Sequence, residues 1–200
     1  MTNSVNPRAR ASEKRRRLTR AAARVLHEQG VERTTLADIA REAEVPVGNV
    51  YYYFKTKDEL VSAALAEHSA HLDEITARLE QSDDPRDRLK ALVEGWIGAR
   101  DVAARYGCPT GTLAVELDKR ADGTLDAEAG AVIRRLLDWA GQQFRALGLA
   151  HPDDLALTLV SGYQGMSLLA NALRDPDVMT REGTRLLRWL DSLESADPQS

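Results

Sequence analysis

Residues 34–60 read TTLADIAREAEVPVGNVYYYFKTKDEL. Thr35 followed three positions on by Asp38 resembles a capping box, and Thr56 followed by Glu59 repeats it. The two caps frame a helix, a tight turn and a second short helix, with a third helix opening at the end. When Val50 and Phe54 occupy the buried face of the second helix, 3.6 residues per turn puts Gly48 and Tyr52 almost opposite, with Asn49 and Tyr51 on the flanks. A glycine, an amide and two phenols then face outward. Such a face fits a nucleic-acid groove: glycine admits close backbone approach, an asparagine bridges an adenine edge, and phenols donate to phosphate oxygens. The residues alone leave open a surface helix with surplus aromatics, because helix-turn-helix patterns arise by chance in all-helical chains.

The wider stretch, residues 31–60, narrows the choice. Thr34-Thr35, Asp38-Ile39-Ala40, Ala43-Glu44-Val45, Gly48-Asn49-Val50-Tyr51, Phe54, Lys57 and Leu60 stand at the offsets of the DNA-binding segment of the TetR family of bacterial transcriptional regulators, which this segment resembles. Two positions depart from that pattern. Glu44 holds the turn position usual for glycine, where a left-handed backbone strains any residue with a Cβ. Pro46 replaces the usual capping serine and has no side-chain oxygen. The resemblance implies DNA contacts from Arg16, Thr35, Val47, Gly48, Asn49, Tyr51, Tyr52, Tyr53, Lys55 and Lys57.

The 200 residues, 43% of them hydrophobic, suffice for one large domain or for a small and a medium one. A single cysteine, no secretory leader and no apolar run near twenty residues predict a cytoplasmic protein without a disulfide framework or membrane span. The net charge of −4 hides a split, since residues 1–57 hold 12 Lys+Arg against 6 Asp+Glu and the remainder is acidic. The basic end coincides with the helix-turn-helix, where phosphate would bind. Its densest run, Lys14-Arg15-Arg16-Arg17, is either a solvated or a phosphate-facing side of the first helix.

Apolar periodicity continues at helical spacing to the end of the chain, with no alternating run for a strand. The expected fold is all-α, about nine helices. The expected layout is a disordered basic tail at 1–10, a helix-turn-helix domain at 11–57 and an effector-binding and dimerisation domain at 58–200. Helices are predicted at 12–29, from Lys57 to about Leu79, from Pro85 through Val102, over 112–119, about 125–147, from Pro152 through Leu173, and over about 179–193.

No catalytic or metal constellation stands out, and neither an enzyme nor a cofactor is expected. His68 and His71 lie one turn apart but lack a third ligand at suitable spacing. Cys108, in Gly107-Cys108-Pro109-Thr110-Gly111, is either a small buried hydrophobe or a thiol near a helix start that senses oxidants or electrophiles. A small, largely apolar effector is expected among Trp96, Arg100, Tyr106, Cys108, Trp139, Phe144, Tyr163, Gln164 and Met166. Ser161, Gly162, Gly165, Leu169, Leu186 and Leu190 fit the homodimer interface that the resemblance places in the last two long helices. The implied function is a homodimeric repressor of a palindromic double-stranded operator, released by a small molecule. The competing reading is an all-helical ligand carrier or interaction protein with a vestigial helix-turn-helix. The basic density of residues 8–24 speaks against it.

Overall fold

The computed structural model describes residues 7–119 and 124–194, and all regular structure among them is helical. The helices are α1 (Pro7–Gln29), α2 (Leu36–Glu42), α3 (Val47–Tyr53), α4 (Lys57–Leu79), α5 (Pro85–Gly98), α6 (Arg100–Tyr106), α7 (Pro109–Asp118), α8 (Leu125–Ala146), α9 (Pro152–Leu173) and α10 (Asp177–Ser192).

Prolines set several of these starts. A proline in the first turn loses no helical hydrogen bond, because the first amides of a helix have no partner within it. Pro85 and Pro152 act in this way as expected. Pro7 and Pro109 do so too, lengthening α1 and α7 beyond their expected starts at 12 and 112. Residues 7–10 of the expected disordered tail are therefore helical, and residues 1–6 lie outside the described part. The run from Pro85 through Val102 is divided at Ala99 (φ −89°, ψ 9°), just past Gly95 and Gly98, which are poor helix formers.

The contacts separate two compact units, and they do not divide the chain at residue 57. The first comprises residues 1–70 and 112–129; the second comprises 71–111 and 130–200. In the first, Leu18, Ala22 and Leu26 of α1 share a core with Ile39 of α2, Val50 of α3 and Phe54 at its end, Leu60, Val61 and Leu65 of α4, Leu113 and Leu117 of α7, and Leu125 and Ala129 of α8. The second core joins Leu89 and Val93 of α5 to Phe144 of α8, Leu159 and Met166 of α9, and Met179, Leu186 and Leu190 of α10. There α10 crosses α5 so closely that a Cβ on Gly183 would fall within van der Waals contact of the Ile97 side chain.

Phe54 is 1% exposed, with the Arg15 guanidinium over its ring, 5.3 Å from the centroid. Phe54→Ala is expected to destabilise the first unit by about 3–5 kcal/mol. All three tryptophans (96, 139 and 189) belong to the second unit. In a denaturant titration the loss should therefore be seen by far-UV dichroism before tryptophan emission changes.

Candidate nucleic-acid interface

The α2 cap forms as the sequence predicts. The Thr35 hydroxyl accepts from the Asp38 amide at 3.2 Å, and the Asp38 carboxylate accepts from the Thr35 amide at 3.0 Å and from its hydroxyl at 2.6 Å. The bonds from the Thr35 side chain and then its backbone hold the Asp38 carboxyl below its ordinary pKa. The contribution of this cap is complete above the pKa of the unfolded carboxyl and is lost as pH falls through the lower folded value. In the unbound chain the Thr35 hydroxyl is engaged with Asp38, so Thr35, one of the expected DNA-contact residues, serves there as the α2 cap. At α4, Thr56 accepts from the Glu59 amide at 3.1 Å, while the Glu59 carboxylate reaches back to the Lys55 amide at 2.7 Å.

Between α2 and α3, Glu44 takes φ 51°, the left-handed conformation that its position foretold. Arg17 of α1 holds it there. The guanidinium donates to the carbonyls of Ala43 at 2.5 Å and Glu44 at 3.4 Å, and to the Glu44 carboxylate at 3.1 Å. A cation thus answers the last carbonyls of α2 where they carry partial negative charge. Pro46 gives α3 no side-chain cap, as its chemistry requires.

On α3, Val50 is 0% exposed, while Val47, Tyr51 and Tyr52 are 48%, 55% and 73% exposed. Gly48 is exposed, with no atom within 4 Å of where a Cβ would stand, and Asn49 is half-buried on the flank. The outward face is the expected one. Tyr53 differs: it packs against the first core and meets the Tyr52 ring edge-on at 5.0 Å, so it props the exposed phenol from behind. Lys55 donates to the Tyr51 carbonyl at 2.9 Å, which keeps its ammonium beside α3, whereas Lys57 reaches the Glu32 carbonyl in the α1–α2 turn at 3.5 Å.

The basic run is largely engaged within the unit. Arg16 pairs with Glu13 at 2.5 Å, Arg20 with Glu67 at 3.2 Å, and Arg24 with Glu28 at 3.0 Å and Glu42 at 2.9 Å. Arg16, expected at phosphate, therefore has a carboxylate partner in the unbound chain. Exposed pairs of this kind contribute about 0–1 kcal/mol each, little enough for a phosphate to displace.

In the second unit the expected effector residues separate. Trp96 stacks on Tyr163 with centroids 4.3 Å apart. The Cys108 sulfur accepts from the Gly111 amide at 3.3 Å and the Gln164 amide group at 3.5 Å. Burial pushes the Tyr163 phenol well above its ordinary pKa, and the charge of Cys108 and its hydrogen bond add to the shift. These four residues are brought together, with Tyr106 half-buried under the Arg105 guanidinium, 5.2 Å from its ring centroid. Others fall elsewhere. Phe144 and Met166 are core, at 0% and 1% exposure. Trp139 is also core, with its indole N–H on Glu80 at 3.0 Å, and it lines a separate cleft of about 340 Å³ with Arg135 and Asp138. Arg100 is exposed at the start of α6, because the break at Ala99 turns it out of the apolar face it was expected to interrupt.

The expected dimer residues divide similarly. Leu186 and Leu190 are 5% and 0% exposed inside the second core, and a Cβ on Gly162 would touch Leu186 at 3.0 Å, so these three serve α9–α10 packing within the chain. Ser161 and Leu169 face outward, and the space beside Gly165 is open. Sequence reasoning missed Leu157, Leu168 and Leu173, which are 55%, 68% and 64% exposed on α9. An apolar run on both sides of a stripe of small residues was the available signal. A groove of about 550 Å³ is lined by Leu157, Ser161, Gly162, Arg185 and Trp189 among others.

A family model described as bacterial regulatory proteins, tetR family, matches residues 18–64, which span the whole of α2, α3 and the turn between them. Residues 18–64 are therefore similar to the DNA-binding segment of the tetR family. An uncharacterized HTH-type transcriptional regulator of Mycobacterium tuberculosis is 28% identical over 172 residues, covering 80% of this chain and 86% of that one. The regulator TtgR of Pseudomonas putida is 42% identical over 83 residues, 41% of this chain and 39% of that protein. Among solved structures, the regulatory protein TetR from Rhodobacter sphaeroides superposes with a TM-score of 0.75 at 26% identity, over 86% of this chain and 96% of its own. The matched relatives are named as transcriptional regulators, and the fold is shared with a regulatory protein, which supports a transcriptional regulator as the reading of this chain.

Two substitutions separate strain from tethering at the α2–α3 turn. Glu44→Gly relieves a left-handed backbone that costs about 1–2 kcal/mol in a residue with a Cβ, and forfeits only an exposed ion pair. Its denaturation midpoint is expected to hold or rise. Arg17→Ala removes charge-assisted bonds to two carbonyls and should lower stability by about 1.5–3 kcal/mol in the same titration.

Proposed function

We propose that this chain is a cytoplasmic homodimeric repressor that reads a palindromic operator through α3 and leaves it when a small, largely apolar molecule binds the C-terminal unit. The observation that carries the proposal is the outward face of α3, where Val47, Gly48, Tyr51 and Tyr52 stand exposed over buried Val50 and Phe54. Asn49 is the residue able to bridge a base edge. Tyr51, Tyr52, Lys55 and Lys57 are the residues that would meet phosphates. Among the described helices none is long and apolar enough to cross a membrane.

One recognition helix covers a half-site. Two such helices, roughly 34–36 Å apart, reach successive major grooves, so the operator would repeat with the two-fold symmetry of the dimer. The exposed leucines of α9 support the pairing, since exposed apolar side chains in this number on one helix favour association. For the effector, the stacked Trp96–Tyr163 pair, with Cys108 and Gln164 beside it, offers a flat apolar wall with a few polar atoms. The helix α4 contributes residues to both units and is the continuous element through which the two sites would influence each other. A ligand shifts that equilibrium only by its preference for one state, and operator must weaken ligand binding by the same factor that ligand weakens operator binding.

Band shifts against upstream DNA over a range of salt test the DNA-binding part. Lys57→Ala should weaken all sequences alike and lower the salt slope by about 1 per subunit, whereas Asn49→Ala should relax preference at one base position by about 1–3 kcal/mol. Affinity that stays flat from low to physiological salt would contradict the electrostatic contribution.

Leu168→Glu places a charge on the open face of α9 and should convert the protein to a monomer in sedimentation, with operator affinity lost in parallel. A wild-type chain that sediments as a monomer at micromolar concentration would remove the dimer from the proposal.

A further inference from the structure

The first unit contains residues far outside the matched segment, and one of them makes a specific polar contact with it. Gly30 ends α1 at φ 81°, and the chain reverses before α2. Val31, the first residue past Gly30, is 2% exposed, so its amide is shut away from water beyond the end of the helical ladder. The Glu116 carboxylate of α7 accepts that N–H at 2.5 Å, across 85 residues of sequence. It lies so close to the backbone that a Cβ on Gly30 would stand 2.7 Å from one carboxylate oxygen and 3.0 Å from the other. Gly30 thus serves twice, supplying the positive φ and the space for the carboxylate. Leu113 and Leu117, buried at 1% and 2% on the same helix, fix where Glu116 stands.

The turn held in this way leads directly to the recognition unit. The Thr34 hydroxyl donates to the Gly30 carbonyl at 2.7 Å, and Thr35 is the α2 cap. We infer that Glu116 is a positioning residue for DNA binding: its carboxylate on the Val31 amide sets the α1–α2 turn, and through it the start of α2 and the presentation of α3. The inference rests on the DNA-binding function proposed above and assigns part of it to a residue outside the helix-turn-helix.

Glu116→Met and Glu116→Gln test it, because both preserve bulk and only glutamine preserves an oxygen acceptor. Three readouts apply: amide exchange at Val31, affinity for the duplex that the wild-type chain enriches from a random-sequence pool, and thermal unfolding followed by tryptophan emission. Glu116→Met should speed Val31 exchange and weaken duplex binding by about tenfold or more, since it leaves a buried donor unsatisfied. Glu116→Gln should stay within about threefold of wild type, a rescue expected where the acceptor matters. Emission-detected unfolding should be the same in all three proteins. Equal duplex affinity for Glu116→Met and wild type would overturn the assignment, as would an equal fall in both variants. A wild-type chain that enriches no duplex would remove the DNA-binding function itself. In that event the Glu116 assignment falls with it, whereas equal binding by wild type and Glu116→Met removes the assignment alone.

Discussion

A seven-residue helix is too short to hold itself together in water, and α3 is such a helix. Its geometry is imposed by burial of Val50 and of Phe54, the residue that ends it, at 0% and 1% exposure. Everything on its outer face depends on that anchoring. Tyr51 and Tyr52 can stand exposed because the inner face is fixed, and Gly48 can offer bare backbone because no neighbour leans on it. Pro46 supplies no cap, so the start of α3 is set from the preceding turn, where Arg17 binds the Ala43 and Glu44 carbonyls.

The arginines of α1 show how a basic sequence divides its charge between holding the fold and meeting a ligand. Arg17, Arg20 and Arg24 reach α2, its following turn and α4, and each has a carboxylate partner. They brace the helices that present α3. The charge balance of residues 1–57 therefore overstates what stands free in the unbound chain, while Lys55 and Lys57 donate to the Tyr51 and Glu32 carbonyls.

Local chemistry was legible in the sequence. The Thr35 cap, the bounds of α4 and the buried and exposed faces of α3 follow from offsets of three or four residues, and the structure agrees with each. Glu44 was recognisable as strained because it stands where the segment it resembles usually has glycine, and the structure gives it φ 51°. What the sequence concealed depended on partners distant in the chain. Leu186 and Leu190 read equally well as surface for a second copy or as packing against α9, and only the fold decides for packing. Arg100 looked like a cation within an apolar face until the break at Ala99 turned it outward. Glu116 carried no local signal, since its partner is a backbone amide 85 positions away.

The first unit is discontinuous, and this bears on how the chain is made. Its core needs Leu113, Leu117, Leu125 and Ala129, which follow its N-terminal part by more than forty residues. On a ribosome adding about 5–20 residues per second, the N-terminal helices wait several seconds for the rest of their core. During that interval the first core lacks Leu113, Leu117, Leu125 and Ala129, and the turn at Gly30 lacks its carboxylate. The N-terminal helices therefore pass through a stage with part of their core uncovered, and loop closure over this length makes their assembly slower than that of a self-contained three-helix unit.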